Sequence, residues 1–367
     1  MSLPFDIAAA ADWIEALQRP DGSIPWIESG LWDPWCQTES AMGLIAAGRI
    51  GAATHAFEHL AATQEDDGGW THDLGAAAPL DVDNRRLLPD APRLKETNFA
   101  AWTAVGVWAL AKAAGGDALR RFGPMALRAC DFALSLQTPD GDIVWTAPAP
   151  GEDVSAVDSL FAANCAIFKS LTCAIRIAAA LGRDCNAYSR ARTALHGALL
   201  NCPERFDRTW APKTAHAMDW YYPVLTGVFT GRVAQMQLRT RWDEFVEPGQ
   251  GCRCIGTEPW ATAAETAELA LACAAIGWDD EARHLLACAG KMQDETGGLW
   301  MGRQFALNEP WPLERPSWTA GAALMAADAL YGLSAAGGLF APQSRSSSIS
   351  DPVRSAGANR PEALARR

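Results

Sequence analysis

One phrase recurs four times along the chain, each time between two long apolar segments of helical spacing. It reads Gln18-Arg-Pro-Asp21-Gly22-Ser-Ile-Pro-Trp26, Gln64-Glu-Asp-Asp67-Gly68-Gly69-Trp70, Gln137-Thr-Pro-Asp140-Gly141-Asp-Ile-Val-Trp145 and Gln293-Asp-Glu-Thr-Gly297-Gly298-Leu-Trp300. Degenerate copies lie near Trp210 and between Gly251 and Trp260. Gln closes a helix and can reach loose backbone groups there. Asp-Gly makes the turn. Trp packs over the start of the next helix, its indole N–H available to a neighbouring carbonyl. A unit that repeats in this way is one supersecondary piece that buries its apolar face only against its neighbours.

Periodicity predicts twelve helices, near 5–18, 36–48, 52–64, 96–114, 117–137, 158–181, 186–200, 216–230, 232–243, 259–276, 279–293 and 316–333. Strand signals are almost absent. The helices pair as six hairpins, with a long loop inside each pair. Short, often Gly-bearing links join the pairs: Gly48 to Gly51, Gly115-Gly116-Asp117, Gly182-Arg183-Asp184, Gly231 and Gly277-Trp278-Asp279. Six such hairpins close into an all-α (α/α)6 toroid with the more apolar second helix of each pair on the inner ring. The toroid is expected to span 1–340. Residues 341–367 are Ser-, Arg- and Pro-rich, carry five Arg against two acids, and are expected to be a disordered tail.

A formal charge of −12, from 43 acids against 31 bases, argues against nucleic acid as a partner. The ten cysteines are scattered through apolar segments and read as reduced thiols. No cofactor motif and no metal-ligand spacing is present, so neither is implied. The N-terminus has no signal-peptide pattern, and the expected location is cytoplasmic. A small molecule is the expected partner, with room left for peripheral membrane contact and for a second subunit.

The Gln…Gly…Trp phrase on α-hairpins resembles the QW repeats of the terpene cyclase and protein prenyltransferase superfamily, and the resemblance covers nearly all of residues 1–335. It implies a stand-alone toroid in which an inward acid starts cyclisation of an isoprenoid, as in class II cyclases. Leu80-Asp81-Val82-Asp83-Asn84 resembles the D-x-D-D acid motif of those enzymes, except that Asn84 stands at its last position and Arg85 to Leu94 separate it from the next helix. Asp83, with Asp81 beside it, and Glu96 at the helix start are the candidate acids on that view. The superfamily's zinc-binding prenyltransferases have a late His where this chain reads Ser317-Trp318-Thr319, so that activity is not implied. Arg85, Arg86, Arg93 and Lys95 either hold a diphosphate or pair with local acids.

The residues themselves leave a wider choice. All inner helices start at one mouth, where Glu39, Glu96, Asp158, Asp219 and Glu265 gather with Trp35, Trp102, Trp220, Tyr221, Trp260 and Trp318. Capping and the helix dipole account for acids at such places. Glu39, Asp219 and Glu265 are flanked by apolar residues on the face expected to point inward, which capping alone does not require. A buried carboxyl among aromatic rings is a general acid. With indole faces it serves carbocation chemistry. As one of a pair it serves a carbohydrate- or polyol-active enzyme, a hydrolase, lyase or epimerase. The third alternative is a non-catalytic scaffold subunit.

Overall fold

The computed structural model describes residues 3–341, except 29, 72–79, 82–85, 88–93, 149–150, 152, 155–156 and 210–212, with backbone alone at 80–81, 86–87 and 213. The helices are α1 Ile7–Leu17, α2 Pro34–Ala46, α3 Ile50–Thr63, α4 Thr97–Ala114, α5 Gly116–Ser135, α6 Phe161–Ala180, α7 Asn186–Asn201, α8 Ala217–Leu225, α9 Gly231–Thr240, α10 Trp242–Phe245, α11 Ala263–Ile276, α12 Asp279–Gly290 and α13 Ser317–Tyr331. Apart from the one-turn α10, these are the twelve the periodicity predicts. The largest difference is α8, which contains Pro223 and gives way to a turn at Gly227 (φ 80°) rather than running to 230. The described residues also include seven strands of two or three residues, in loops that read as strand-free.

The helices alternate between two rings. α2, α4, α6, α8, α11 and α13 each pack on the next, and α13 returns to α2, so the inner ring is closed. It is apolar nearly all round, as a doubly covered helix must be; α4, for example, is buried almost continuously from Thr97 to Ala111. α6 is long and apolar enough by length and composition to cross a bilayer, but here it is a largely buried member of this ring. α1, α3, α5, α7, α9 and α12 bury one face against the inner helices and expose the other.

The repeated phrase staples the outer ring. The amide of Gln18 donates to Gly22 O and to Ala52 O of α3. Gln64 does the same to Gly68 and Met125, Gln137 to Gly141 and Ala191, and Gln293 to Gly297 and Asp6. The last of these joins the final hairpin to the first. The paired glycine has no alternative there. Gly297 has φ 86°, and a Cβ on it would stand 2.2 Å from Ala9 O of α1.

The inner ring is tightest between α2 and α13. A Cβ on Gly43 would lie 2.5 Å from the Gly321 Cα, and one on Gly321 would lie 2.7 Å from the Glu39 carbonyl oxygen. The two backbones therefore touch beside Glu39. The start of α2 is fixed as firmly. Asp33 caps it by accepting from Cys36 N at 2.7 Å, and Pro34 takes the first helical position. Buried Gln37 accepts from Ile24 N at 2.6 Å and donates to Gly22 O at 2.9 Å and Ala56 O at 3.0 Å, sewing the preceding loop to the helix.

Candidate active site

Four inner helices bring their sixth residue to one level of the ring: Glu39 of α2, Trp102 of α4, Tyr222 of α8 and Glu268 of α11. The other two, α6 and α13, bring Ala166 and Ala322 and leave the level to these side chains. Trp102 Nε1 donates to Glu39 Oε1 at 2.7 Å. Tyr222 OH donates to Glu268 Oε1 at 2.9 Å, and Tyr221 OH donates to Glu268 Oε2. Trp35 stacks on Trp102 with ring centres 4.5 Å apart and 11° between planes. It lies 6.5 Å from Tyr222. The result is two carboxyls in an aromatic box.

Burial dominates the electrostatics. Glu39 is 2% exposed, and its Oε2 has no hydrogen-bond partner. Desolvation, and then the charge on Glu268, push its pKa well above the ordinary carboxylate range against the pull of the Trp102 donor. Glu268 is 8% exposed and is pushed up to about 7 by burial, while the two tyrosine hydroxyls favour its charged form and Glu265 opposes it. Burial, then the charge of Glu268, also holds both tyrosines protonated, so they remain donors. Near neutrality Glu39 keeps its proton and Glu268 can lose its own. An acid and a base then share one aromatic box.

Of the residues the sequence points to, Glu39, Trp35, Trp102 and Tyr221 meet in this box. Glu265 lies one helical turn above Glu268, half-buried, and accepts from the Thr262 hydroxyl at the start of α11, so it belongs to the helix terminus. Asp219 lies in the first turn of α8, where its charge raises the Cys165 thiol further after burial has done most of that. Glu96 is the residue before α4, and its Oε2 accepts from Trp145 Nε1 at 2.6 Å, which ties two loops together rather than reaching the box. Asp158 likewise binds the backbone of Ser159, Arg208 and Thr209. Trp220 faces outward: its Nε1 donates to Gln237 O on α9 and its ring stacks 5.2 Å from Phe245. Trp318 and Trp260 stand on the rim, edge-on to Trp26 and Trp311 at 4.7 Å and 5.1 Å. Asp83 lies outside the described residues. Asp81 is described only as backbone, in a two-residue strand paired with Arg86–Leu87. Lys95 pairs with Glu65 and Asp67 at 2.6 Å and 2.7 Å.

Glu268 is absent from the sequence-derived candidates. Its signal is present nonetheless: an acid set in Ala-Glu-Leu-Ala-Leu-Ala-Cys, deeper in an apolar helix than any cap extends.

The fold is shared with known sugar-processing enzymes. A glycosidase variant in complex with glucose superposes with a TM-score of 0.63 at 18% identity, over 89% of this chain and 96% of that one. A GH63 mannosylglycerate hydrolase from Thermus thermophilus, in complex with Tris and D-glycerate, does so with a TM-score of 0.62 at 13% identity, over 86% and 98%. At these identities the likeness establishes the (α/α)6 architecture. No family model matches the chain. The sequence is 35% identical over 341 residues to the MMP endo-(1,4)-3-O-methyl-alpha-D-mannosidase of Mycolicibacterium hassiacum, a match covering 92% of this chain and 89% of that enzyme. The chain belongs to the family of that enzyme, and it is an enzyme with a small-molecule substrate.

This overturns the expected terpenoid cyclase or prenyltransferase kinship, and with it the isoprenoid substrate and the acid-initiated cyclisation. The physical reason lies in the repeat. Its Gln and Gly bind the neighbouring outer helix and its Trp ties the loop down, Trp70 Nε1 to Leu60 O of α3 and Trp145 Nε1 to Glu96, so it specifies hairpin stacking and carries no chemistry. No finding supports a second subunit.

Proposed function

We propose that the protein is a glycoside hydrolase that cleaves mannosidic linkages within an O-methylated mannose oligosaccharide. The observation that carries this is the Glu39–Glu268 pair: two buried carboxyls on inner helices α2 and α11, close enough for the charge of one to act on the other, one held by an indole N–H and the other by two tyrosine hydroxyls. Glu39 holds its proton at neutral pH and delivers it to the departing glycosidic oxygen. Glu268, whose anion the two tyrosines stabilise, takes the proton of the attacking water or supports the positive charge that develops on the sugar. Trp35, half-buried and backed by the Trp102 ring, offers a stacking face to the ring being cleaved. The family relationship supports the mannose-directed specificity.

A methylated sugar is more apolar than a plain one, and the rim supports that preference. A cavity of about 430 Å³ beside Trp260 and Trp311 is walled mainly by Ile255, Pro259, Leu307 and Pro310, with Glu258, Gln304 and Glu309 as its polar groups. Trp260 stands three residues before α11, the helix that carries Glu268. A chain cleaved at the acid pair has this surface available for further units.

The test is hydrolysis of 3-O-methylmannose oligosaccharides against unmethylated mannosides and glucosides, by the intact protein and by Glu39→Gln and Glu268→Gln. Cleavage of the methylated mannosides that is lost in both variants supports the assignment. Full activity in either variant removes that residue from it.

A further inference from the structure

The other end of the ring holds a cavity of a different character. A cavity of about 550 Å³ lies between α6, α7, the C-terminal ends of α8 and α11, the start of α9 and the chain at Phe340–Ala341. Lys169 and Arg176 of α6 and Arg192 of α7 line it, and among the described residues no Asp or Glu does. Several buried or half-buried cations elsewhere are matched by a carboxylate, among them Arg205 with Asp142, Arg253 with Glu247 and Arg315 with Asp294, whereas others such as Arg303 and Lys291 bond only neutral groups. Among the described residues, none of the three cavity cations meets a carboxylate. Lys169 is buried, donates to Leu339 O at 2.6 Å and stands 4.9 Å from the Phe340 ring centre. Arg192 lies 4.5 Å over the Phe168 ring, and its buried Nε has no acceptor. The sequence beyond Ala341 adds five Arg against two acids and so supplies no counter-charge in sum.

Three cations gathered in a partly apolar chamber repel one another and are costly to desolvate unless an anion joins them. Burial, and then the Arg176 charge, lower the pKa of Lys169 to about 8, a measure of that cost. Two guanidinium forks and an ammonium suit an anion with several oxygens better than a single carboxylate. Thr230 and Gly231, at the rim, form the N-terminus of α9, a helix of 10 residues whose capping side chain makes no hydrogen bond. Its free N–H groups add to the attraction for an oxyanion. Val224, Phe229, Ile276 and Phe340 supply apolar wall, with the hydroxyl residues Thr172 and Thr226 among them. From this geometry we infer a binding site for a small molecule that carries a phosphoryl group on an apolar or sugar-like body.

The experiment is isothermal titration of the full-length protein at low salt with inorganic phosphate and with phenyl phosphate, with benzoate as a carboxylate of similar body. Saturable one-to-one binding is expected, tighter for phenyl phosphate than for inorganic phosphate and weakest for benzoate. Arg176→Gln and Arg192→Gln each weaken it roughly tenfold or more. Arg192→Lys keeps the charge, loses the fork, and falls between. Melting temperatures in phosphate-free buffer separate lost binding from lost fold. Failure to saturate with either phosphate by about 10 mM, equal affinity for benzoate, or unchanged affinity in folded arginine variants overturns the site.

Discussion

Trp102 of α4 donates its indole N–H to Glu39 of α2 across 2.7 Å, and this is the single hydrogen bond to the Glu39 carboxyl among the described residues. One neutral donor orients the carboxyl without paying for a charge, which suits an acid that must keep its proton until it is needed. Trp102→Phe keeps a ring for Trp35 to stack on, removes the donor and leaves a small cavity where part of the buried indole stood. The expected result is a loss of about 1–3 kcal/mol in unfolding free energy, from a buried acceptor left unmatched, together with a fall in kcat larger than any rise in KM. Chemical denaturation and steady-state kinetics measure the two. An unchanged kcat means that the indole only fills space.

Glu39→Gln and Glu268→Gln separate chemistry from stability. Each replaces a desolvated acid by a neutral side chain of the same shape. Loss of general acid or base function lowers turnover by roughly 10²–10⁴. Glu39→Gln is expected to melt at or above the wild-type temperature, because Glu39 has no ion pair to lose and a buried charge is never required. A variant that is inactive because it is unfolded shows itself by a lowered melting temperature and circular dichroism.

Glu268 contributes a pH dependence of stability, in the same direction as Glu39, whose carboxyl burial also raises. The Glu268 carboxyl moves from the ordinary 4.5 to about 7 on folding. Between those values the native state holds a proton that the unfolded chain has released, so native stability falls as pH rises. The favourable contribution is whole below pH 4.5 and is lost by about pH 7, an effect of about 3 kcal/mol at most. His59, lowered by burial, works in the opposite direction over part of the same range. The measurement is therefore a difference: wild type should lose more stability than Glu268→Gln between pH 4.5 and 7. Parallel curves place the Glu268 carboxyl near its ordinary value.

The ring is readable from the sequence because it rests on local signals. Gln, Gly and Trp at fixed offsets mark each loop, and Gly at each short link marks each return. The same signals point to an isoprenoid enzyme only if the staple is read as a sign of chemistry, whereas Gln64 and Gly68 touch nothing but α5 and their own loop. Glu39 is legible as an acid in an apolar setting that no cap explains. The choice between Glu265 and Glu268 is harder. They are one turn apart on the same helix face, and spacing cannot say which side chain reaches the axis. The Thr262 hydroxyl bound to Glu265 decides it, leaving Glu268 for Tyr221 and Tyr222.

Gly297→Ala tests the closure of the outer ring. The residue combines φ 86° with a Cβ position 2.2 Å from Ala9 O, so the substitution strains the turn and pushes α1 off the last hairpin at once. The Gln293 bonds to Asp6 go with it. A loss of at least about 2 kcal/mol is expected, visible in denaturant titration. The same change at Gly115, where φ is 88° but no atom lies within 4 Å of the added Cβ, is expected to cost less, since only backbone conformation is disturbed. Equal costs would mean that the contact with α1 contributes nothing.

Trp311→Ala asks whether the rim cavity serves the substrate. Trp311 is 55% exposed, and Trp260 meets it edge-on while donating its Nε1 to the Trp311 carbonyl at 2.6 Å, a bond the truncation leaves in place. The ring is therefore removable without opening the core, and stability should change by less than about 0.5 kcal/mol. If further sugar units pack on this surface, the loss must depend on chain length. A short methylated substrate that occupies only the box around Glu39 and Glu268 should be cleaved with unchanged kcat/KM. A longer one should lose roughly tenfold, mainly through KM, since stacking on a distant unit holds ground state and transition state alike. The unmethylated oligosaccharide gains less from an apolar wall and should lose less. An equal loss for short and long substrates would place the effect at the acid pair itself, and no loss for any would remove the rim from the binding site.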